Sequence, residues 1–304
     1  MRKTDLILVV FIGLVLLQGS LSAQPFRSVK QTEDSLKQLF HMATGSIATD
    51  TRSSAGQQFA TLFYRTLEMQ DSFAYPFDSL PTVSKLTSPD NTFRIYTWNI
   101  PLLSGVNTFY GAIQMKWNKN DSINLIVLHD KSAEIAHPER SILTPQRWYG
   151  ALYYQIIPER TFSGEMAYTL LGWHGENMLL TARVIDILSI SPGGKIQFGR
   201  TMFCGVQESK PSRIIFRYSA RASMVLRYEK QYIVTSKKWN AKRREYKFQH
   251  EREFIIVFDR LVPANPQLEG QFEHYIPAGD IMDGFIFKEG CWNFIENVDT
   301  RNPK

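Results

Sequence analysis

The sequence predicts an α+β protein, in which an antiparallel, β-rich body follows two N-terminal helices and is interrupted by one internal helix. Apolar residues recur at helical spacing in two segments before residue 75. After Pro76, short runs rich in Val, Ile, Tyr, Phe and Trp alternate with turn signals. The composition, with 43% hydrophobic and 21% charged residues, excludes disordered, collagen-like and coiled-coil chains. We therefore divide the chain into a helical segment at 24–75 and a β-rich domain at 76–304.

Residues 1–23 have the order of a secretory signal peptide. Arg2 and Lys3 precede an unbroken apolar run at 6–17, and small and polar residues lead to a predicted cleavage after Ala23. A helix of about 12 residues spans about 18 Å, which is too short for the roughly 30 Å hydrocarbon core of a bilayer. The sequence thus predicts an exported protein of the periplasm or the outer-membrane periphery, with no transmembrane span after cleavage.

Two helices are predicted at 28–43 and 54–70. Ser28 and Gln31 have the spacing of a capping box, and Ser54 is the predicted cap of the second helix. Each helix carries an apolar stripe of the kind that packs into a core. The stripes contain Val29, Leu36, Leu39, Phe40 and Ala43 in the first helix and Phe59, Leu62, Phe63 and Leu67 in the second.

The β-rich part contains ten predicted strands and one helix. The strands lie at 93–100, 109–117, 123–129, 148–157, 166–173, 196–204, 213–218, 224–234, 246–258 and 285–294. A polar loop at 118–121 predicts a hairpin, and the two apolar faces of 148–157 predict a buried central strand. The helix is predicted at 178–189, with Asn177 as its N-cap and Leu180, Val184 and Leu188 on one face.

Several short runs in the second half of the chain resemble one family. They are 148–154 (WYGALYY), 168–175 (YTLLGWHG), 257–261 (VFDRL), 266–270 (PQLEG) and 283–285 (DGF). Over about residues 145–300, the chain is similar to an uncharacterised family of exported proteins from Bacteroidetes-type bacteria. The resemblance implies a Gram-negative envelope setting and implies no activity.

Common catalytic signatures are absent from the sequence. It contains no HExxH, no GxSxG, no P-loop and no GxGxxG, which excludes the enzyme classes that depend on those local motifs. The six histidines have no metal-ligand spacing, so neither a metal nor another cofactor is expected.

Acidic residues are concentrated near the C-terminus. Asp259, Glu269, Asp280 and Asp283 are candidates for a catalytic carboxylate pair, which would make the protein an envelope glycan hydrolase. Most of them adjoin Pro or Gly, so solvated loop charges are the competing interpretation.

The strongest unusual feature is a concentration of positive charge. Residues 210–252 contain thirteen Lys and Arg residues and three Glu residues, so this segment has a net charge of +10. The whole chain has a formal net charge of only +6, so the rest of it is acidic. It contains a predicted long hairpin at about 226–256 whose tip is rich in cations and holds a tryptophan. The candidate binding residues at the tip are Lys237, Lys238, Trp239, Lys242, Arg243 and Arg244.

A tryptophan among cations favours contact with an anionic surface, because the ring supplies apolar area and the cations supply long-range attraction. Lipid A headgroups, peptidoglycan and an acidic protein face are the expected partners, whereas an exported protein seldom meets nucleic acid. The sequence therefore favours a non-enzymatic binding or assembly factor of the cell envelope. The alternative is an edge hairpin whose cations serve only to prevent aggregation.

Two cysteines, Cys204 and Cys291, complete the candidate residues. Export permits a disulfide between them, and two buried free thiols are the other possibility. The sequence leaves both open.

Overall fold

The computed structural model describes residues 28–46, 48–117, 122–206 and 210–298, apart from the side chains at 117, 234–238, 240 and 245–250. The predicted signal peptide and the predicted hairpin loop at 118–121 lie outside these ranges. The described residues form two α-helices and three sheets in which all strand pairs but one are antiparallel. The predicted α+β class is confirmed.

The two helices are α1 (Val29–Gly45) and α2 (Thr49–Leu67). The predicted capping box of α1 is confirmed, because the backbone N–H of Gln31 donates to Ser28 Oγ at 3.3 Å and that of Ser28 donates to Gln31 Oε1 at 3.1 Å. The predicted cap of α2 is wrong. The helix begins earlier, and Ser54 lies inside it, where its hydroxyl accepts from Gln58.

The strands, in chain order, are β1 (Ser84–Thr87), β2 (Phe93–Pro101), β3 (Asn107–Trp117), β4 (Ser122–His129), β5 (Leu152–Arg160), β6 (Met166–Gly175), β7 (Leu180–Ile190), β8 (Ile196–Phe198), β9 (Phe203–Cys204), β10 (Ile214–Ser219), β11 (Leu226–Asn240), β12 (Glu245–Pro263), β13 (Tyr275–Lys288) and β14 (Cys291–Ile295). The first sheet has the order β1-β2-β3-β4, and the second has the order β10-β7-β6-β5 with β8 on β7. The third has the order β11-β12-β13-β14-β9.

Alternating side chains stack these elements into four layers. In β2, Phe93 and Ile95 pack against the second sheet, while Tyr96 and Trp98 pack against the helices. In the second sheet, Val184 and Leu188 of β7 face the first sheet, whereas the odd-numbered apolar residues of the same strand face the third sheet. The order of layers is therefore helices, first sheet, second sheet and third sheet. The second sheet is covered on both faces.

A buried ion pair crosses the second sheet. Arg213, just before β10, places Nε 2.8 Å from Asp186 Oδ2 of β7, and both side chains are fully buried. Asp186 also accepts from the Tyr153 hydroxyl at 3.0 Å, and that hydroxyl accepts from Trp148 Nε1 at 3.1 Å. Arg213 Nη1 donates to the carbonyl of Pro138 at 2.5 Å. The network thus ties β5, β7, the start of β10 and the loop before β5 together.

The predicted internal helix at 178–189 is wrong, because this segment is strand β7. Asn177 Oδ1 accepts from the backbone N–H groups of Leu179 and Leu180 at 2.8 and 3.0 Å. The side chain of a helix N-cap accepts from the same backbone N–H groups, two and three residues further along the chain. Here these bonds close the hairpin between β6 and β7. The apolar residues suit a strand with two buried faces as well as they suit a helix.

Three predicted strands differ in detail. The strand predicted at 148–157 is β5, which begins at Leu152 and lies at the edge of its sheet rather than at the centre. Its apolar faces are still explained, since the first and third sheets cover them. The segment 196–204 is divided between β8 and β9 in different sheets, and a turn at Gly290 divides 285–294 between β13 and β14.

The cysteines form a disulfide. Cys204 of β9 is bonded to Cys291 of β14, with Cα atoms 6.0 Å apart. The two strands pair in parallel, with Cys204 opposite Asn293. Of the two possibilities that the sequence left open, the structure contains the bridge, which fastens the segment between β8 and β10 to the edge of the third sheet.

We expect Arg213→Met to lower the free energy of unfolding by about 3–5 kcal/mol, because it leaves the Asp186 carboxylate buried without a counter-charge. Adding Asp186→Asn removes that stranded charge and keeps an acceptor for the Tyr153 hydroxyl. The double variant should therefore lose less stability than the sum of the two single variants. Chemical denaturation of all three variants measures this coupling, and strictly additive losses would contradict it.

We expect replacement of both cysteines by serine to lower the free energy of unfolding by about 4–5 kcal/mol in the chain-entropy model. The loop that the bridge closes has a sequence separation of 87 residues. Thermal denaturation of the oxidised, reduced and double-serine proteins makes the comparison. Equal melting temperatures for the oxidised and reduced proteins would contradict a stabilising role.

Candidate functional site

The predicted basic hairpin is formed by β11 and β12, which pair in antiparallel register from Leu226 opposite Phe258 to Asn240 opposite Glu245. Strand β12 pairs with β13 only from Ile255 onward. Among the described strand pairs, residues 230–254 are therefore paired only through β11 and β12. This two-stranded part, here called the basic ribbon, is about 30 Å long at the usual rise of a strand.

One face of the basic ribbon alternates aromatic rings and cations. Tyr228, at its base, stacks on Phe254 with ring centroids 5.2 Å apart. Lys230 Nζ lies 5.1 Å from the centre of the Phe254 ring, and Arg252 lies over the Tyr232 ring at 5.2 Å. Both distances are within the range of cation–π attraction. Tyr228 also touches the ring of a core tryptophan, so the exposed stripe continues a buried one.

A β-bulge decides which residues of the ribbon join this face. Before the bulge, Tyr232 lies opposite Arg252; after it, Trp239 lies opposite Tyr246. The register shifts between Val234 and Ser236. Before the shift, even-numbered residues of β11 lie opposite even-numbered residues of β12. After it, odd-numbered residues of β11 lie opposite them. Trp239 therefore falls on the same face as Lys230, Tyr232 and Arg252. Without the extra residue it would fall on the other face.

The tip of the ribbon is exposed. The turn at 241–244 contains Lys242, Arg243 and Arg244, all exposed, and 54% of the Trp239 surface is accessible. Arg244 has a positive φ of 53°, in the left-handed region that tight turns use. Lys237 and Lys238 lie in β11 just before the tip, and their side chains are outside the described part of the structure.

The opposite face of the ribbon is different. Ile233 is buried there and packs in a small apolar cluster with Ile255, Val257 and Ile286 of the third sheet. Glu229 on the same face accepts from Gln231 Nε2 at 2.6 Å and lies 2.9 Å from Arg227 Nε. This face anchors the base of the ribbon to the third sheet, and the aromatic and cationic side chains lie on the other face.

The structure places the four candidate carboxylates in separate settings. Asp283 is buried and accepts two bonds from Arg260, at 2.8 and 2.5 Å. Asp259 accepts from the backbone N–H of Val225 at 2.7 Å. Because Asp259 lies opposite Met282 rather than Asp283 in the ladder, the two aspartates point to opposite faces of the sheet. Glu269 and Asp280 are exposed. Asp259 and Asp283 therefore do not form a facing catalytic pair.

A carboxyl group that the sequence analysis missed lies near the base of the ribbon. Glu159 of β5 is half-buried, and this burial raises its pKa to about 7. Burial and, after it, the Glu159 charge raise the pKa of the neighbouring Tyr228 phenol to about 12. A single Glu between Pro158 and Arg160 gives no sequence signal, because its burial arises only when the second and third sheets pack together.

A cleft of about 580 Å³ lies beside the β7–β8 hairpin, where the sequence predicted no site. Its wall includes Glu165 and Arg200, whose side chains form an ion pair at 2.6 Å. Ser189 and Gln197 lie opposite each other in the β7–β8 ladder and belong to the same lining. The lining comes from three separate parts of the chain, which is why no local motif marks it.

The described histidine side chains are not assembled into a metal site. His174 is buried, and its ring stacks between those of Phe109 and Tyr149 at centroid distances of 4.9 and 4.7 Å. Its Nδ1 bonds to the carbonyl of Gly150 at 2.5 Å. Within the described ranges, no three His, Cys, Asp or Glu side chains come together as a bound metal would require.

The fold and the ribbon define a four-layer α+β protein with a cationic two-stranded arm. Comparison with protein-family models, curated proteins and solved structures finds no match. The resemblance to exported Bacteroidetes-type proteins therefore stays a prediction. Neither of the helices in the described ranges combines the length and the apolarity that a membrane crossing needs.

We expect Glu159→Gln to change the pH dependence of stability. Because the folded-state pKa of Glu159 is raised above its ordinary value of 4.5, the folded protein keeps a proton that the unfolded chain releases as pH rises from 4.5 to 7. The wild-type protein therefore loses folding stability as pH rises from 4.5 to 7. The variant should match the wild type near pH 4.5 and exceed it above pH 7, by on the order of 1–2 kcal/mol once the pKa shift is discounted for the partial exposure of Glu159.

Chemical denaturation of both proteins across this pH range measures the effect. Glu269→Gln is the matched control, since Glu269 is exposed. A stability difference that stays constant with pH would contradict the prediction.

Proposed function

We propose that this protein is an exported, non-enzymatic factor of the cell envelope that binds an anionic surface through the basic ribbon. The observation that carries the proposal is the bulge, because it brings Trp239 onto the face that already bears Lys230, Tyr232 and Arg252. An edge strand that used its cations only against aggregation would not need its aromatic residues and its cations on one shared face.

The charges and rings of this face have complementary roles. Cations near an anionic surface contribute about 1 kcal/mol each, and their attraction falls off over a Debye length of about 8 Å at physiological salt. Exposed Trp239 and Phe254 supply apolar area that salt does not screen. Binding should therefore have a large salt-sensitive part from the cations and a smaller salt-resistant part from the rings.

Two features support the proposed location. Residues 1–23 have the pattern of a signal peptide, and the disulfide between Cys204 and Cys291 suits an oxidising compartment. An exported protein meets lipid A headgroups and peptidoglycan carboxylates, which are anionic surfaces of the required kind. An acidic protein face has the same chemistry, and we place the two envelope surfaces first because they are extended and carry charge at high density.

The test is co-sedimentation of residues 24–304 with outer-membrane vesicles and, separately, with peptidoglycan sacculi, at low and high salt. We expect pelleting with at least one of these materials at low salt. Charge reversal to Glu at Lys237, Lys238, Arg243 and Arg244 should weaken it by at least about a hundredfold. Trp239→Ala should weaken it by about tenfold and leave the remaining binding more sensitive to salt.

The matched control reverses four exposed cations elsewhere, namely Lys30, Lys37, Arg140 and Arg221. It changes net charge by the same amount and leaves the ribbon intact, so it should keep most of the binding. Equal losses in both variants would show that net charge alone attracts the protein. The absence of pelleting with either material would reject the proposed surface.

A further inference from the structure

The cleft beside the β7–β8 hairpin lies apart from the ribbon, and its lining combines three kinds of group. Lys195 and Arg200 are cationic, and Glu165, the partner of Arg200, is the one carboxylate in the lining. Ser189 and Gln197 are neutral polar residues, and Met166 is one of the apolar residues that complete the wall. A volume of about 580 Å³ is within the usual range for small-molecule sites.

The cationic end of the cleft already holds a carboxylate. Arg200 Nη2 lies 2.6 Å from Glu165 Oε2, and this bond lowers the pKa of Glu165. The pair is accessible, with 32% of the Arg200 side chain and 62% of the Glu165 side chain exposed. An exposed ion pair contributes little to stability, so a ligand carboxylate can take the place of Glu165 at small cost. Lys195 provides a second cation in the same lining.

We propose that this cleft binds a small carboxylated saccharide, with the carboxylate at Arg200 and Lys195 and a hydroxyl group at Gln197. The Gln side-chain amide both donates and accepts, as sugar hydroxyls do. The apolar wall formed by Met166, Ile190 and Pro192 matches the C–H face of a sugar ring. This binding is independent of the basic ribbon.

The test compares glucuronate with glucose, which differ by one carboxylate on the same ring, in ligand-observed NMR titrations of the purified protein. We expect saturable binding of glucuronate and at least tenfold weaker binding of glucose. Arg200→Gln should weaken glucuronate binding at least tenfold. Glu165→Gln should strengthen it, because it removes the competing carboxylate from Arg200.

Arg160→Gln is the matched control. Arg160 donates to the carbonyl of Gly164 in the adjacent turn and does not belong to the cleft lining, so its loss should leave binding unchanged. Equal affinity for the two sugars, absence of saturable glucuronate binding, or a Glu165→Gln variant that binds no better would each overturn the proposal.

Discussion

The burial of the second sheet on both faces is the constraint on which the rest of the structure depends. Any polar side chain inside such a layer must find its partner within the protein, because water is excluded from both sides. Asp186 and Arg213 meet this requirement for each other, and Tyr153 and Trp148 complete the network. The pair fixes the position of β10 beside β7, and the first and third sheets pack on the surfaces that this layer provides.

The basic ribbon follows from the same layering. The inner face of the third sheet is aromatic because it packs on the second sheet, with Tyr228 and Trp292 among its rings. Where β11 and β12 run past the second sheet, the alternation of side chains continues without a covering layer. Lys230 and Arg252 then cover the rings that would otherwise be bare, so a core pattern becomes a surface that suits an anionic partner.

The sequence predicted the parts of the fold that depend on local pattern. The capping box at Ser28 and the hairpin of β3 and β4 were predicted correctly because a few neighbouring residues determine them. Asn177 was misinterpreted because helix caps and tight turns use the same side-chain bonds. The bulge before Ser236 has no sequence mark, and the cleft and the buried Glu159 arise only from packing between distant segments. The charge pattern alone was enough to predict the basic tip. It was not enough to predict the face of the ribbon on which Trp239 lies.

The disulfide also determines how the third sheet ends. A sheet edge offers unpaired backbone groups to any other strand that approaches it, and such edges are where proteins aggregate. At one edge of this sheet β9 contributes only Phe203 and Cys204, and the bond to Cys291 holds this short strand over β14. At the other edge β11 carries repeated lysines. The bridge therefore keeps β9 in place as a cover over the edge of β14, whose unpaired backbone groups would otherwise be open to another strand.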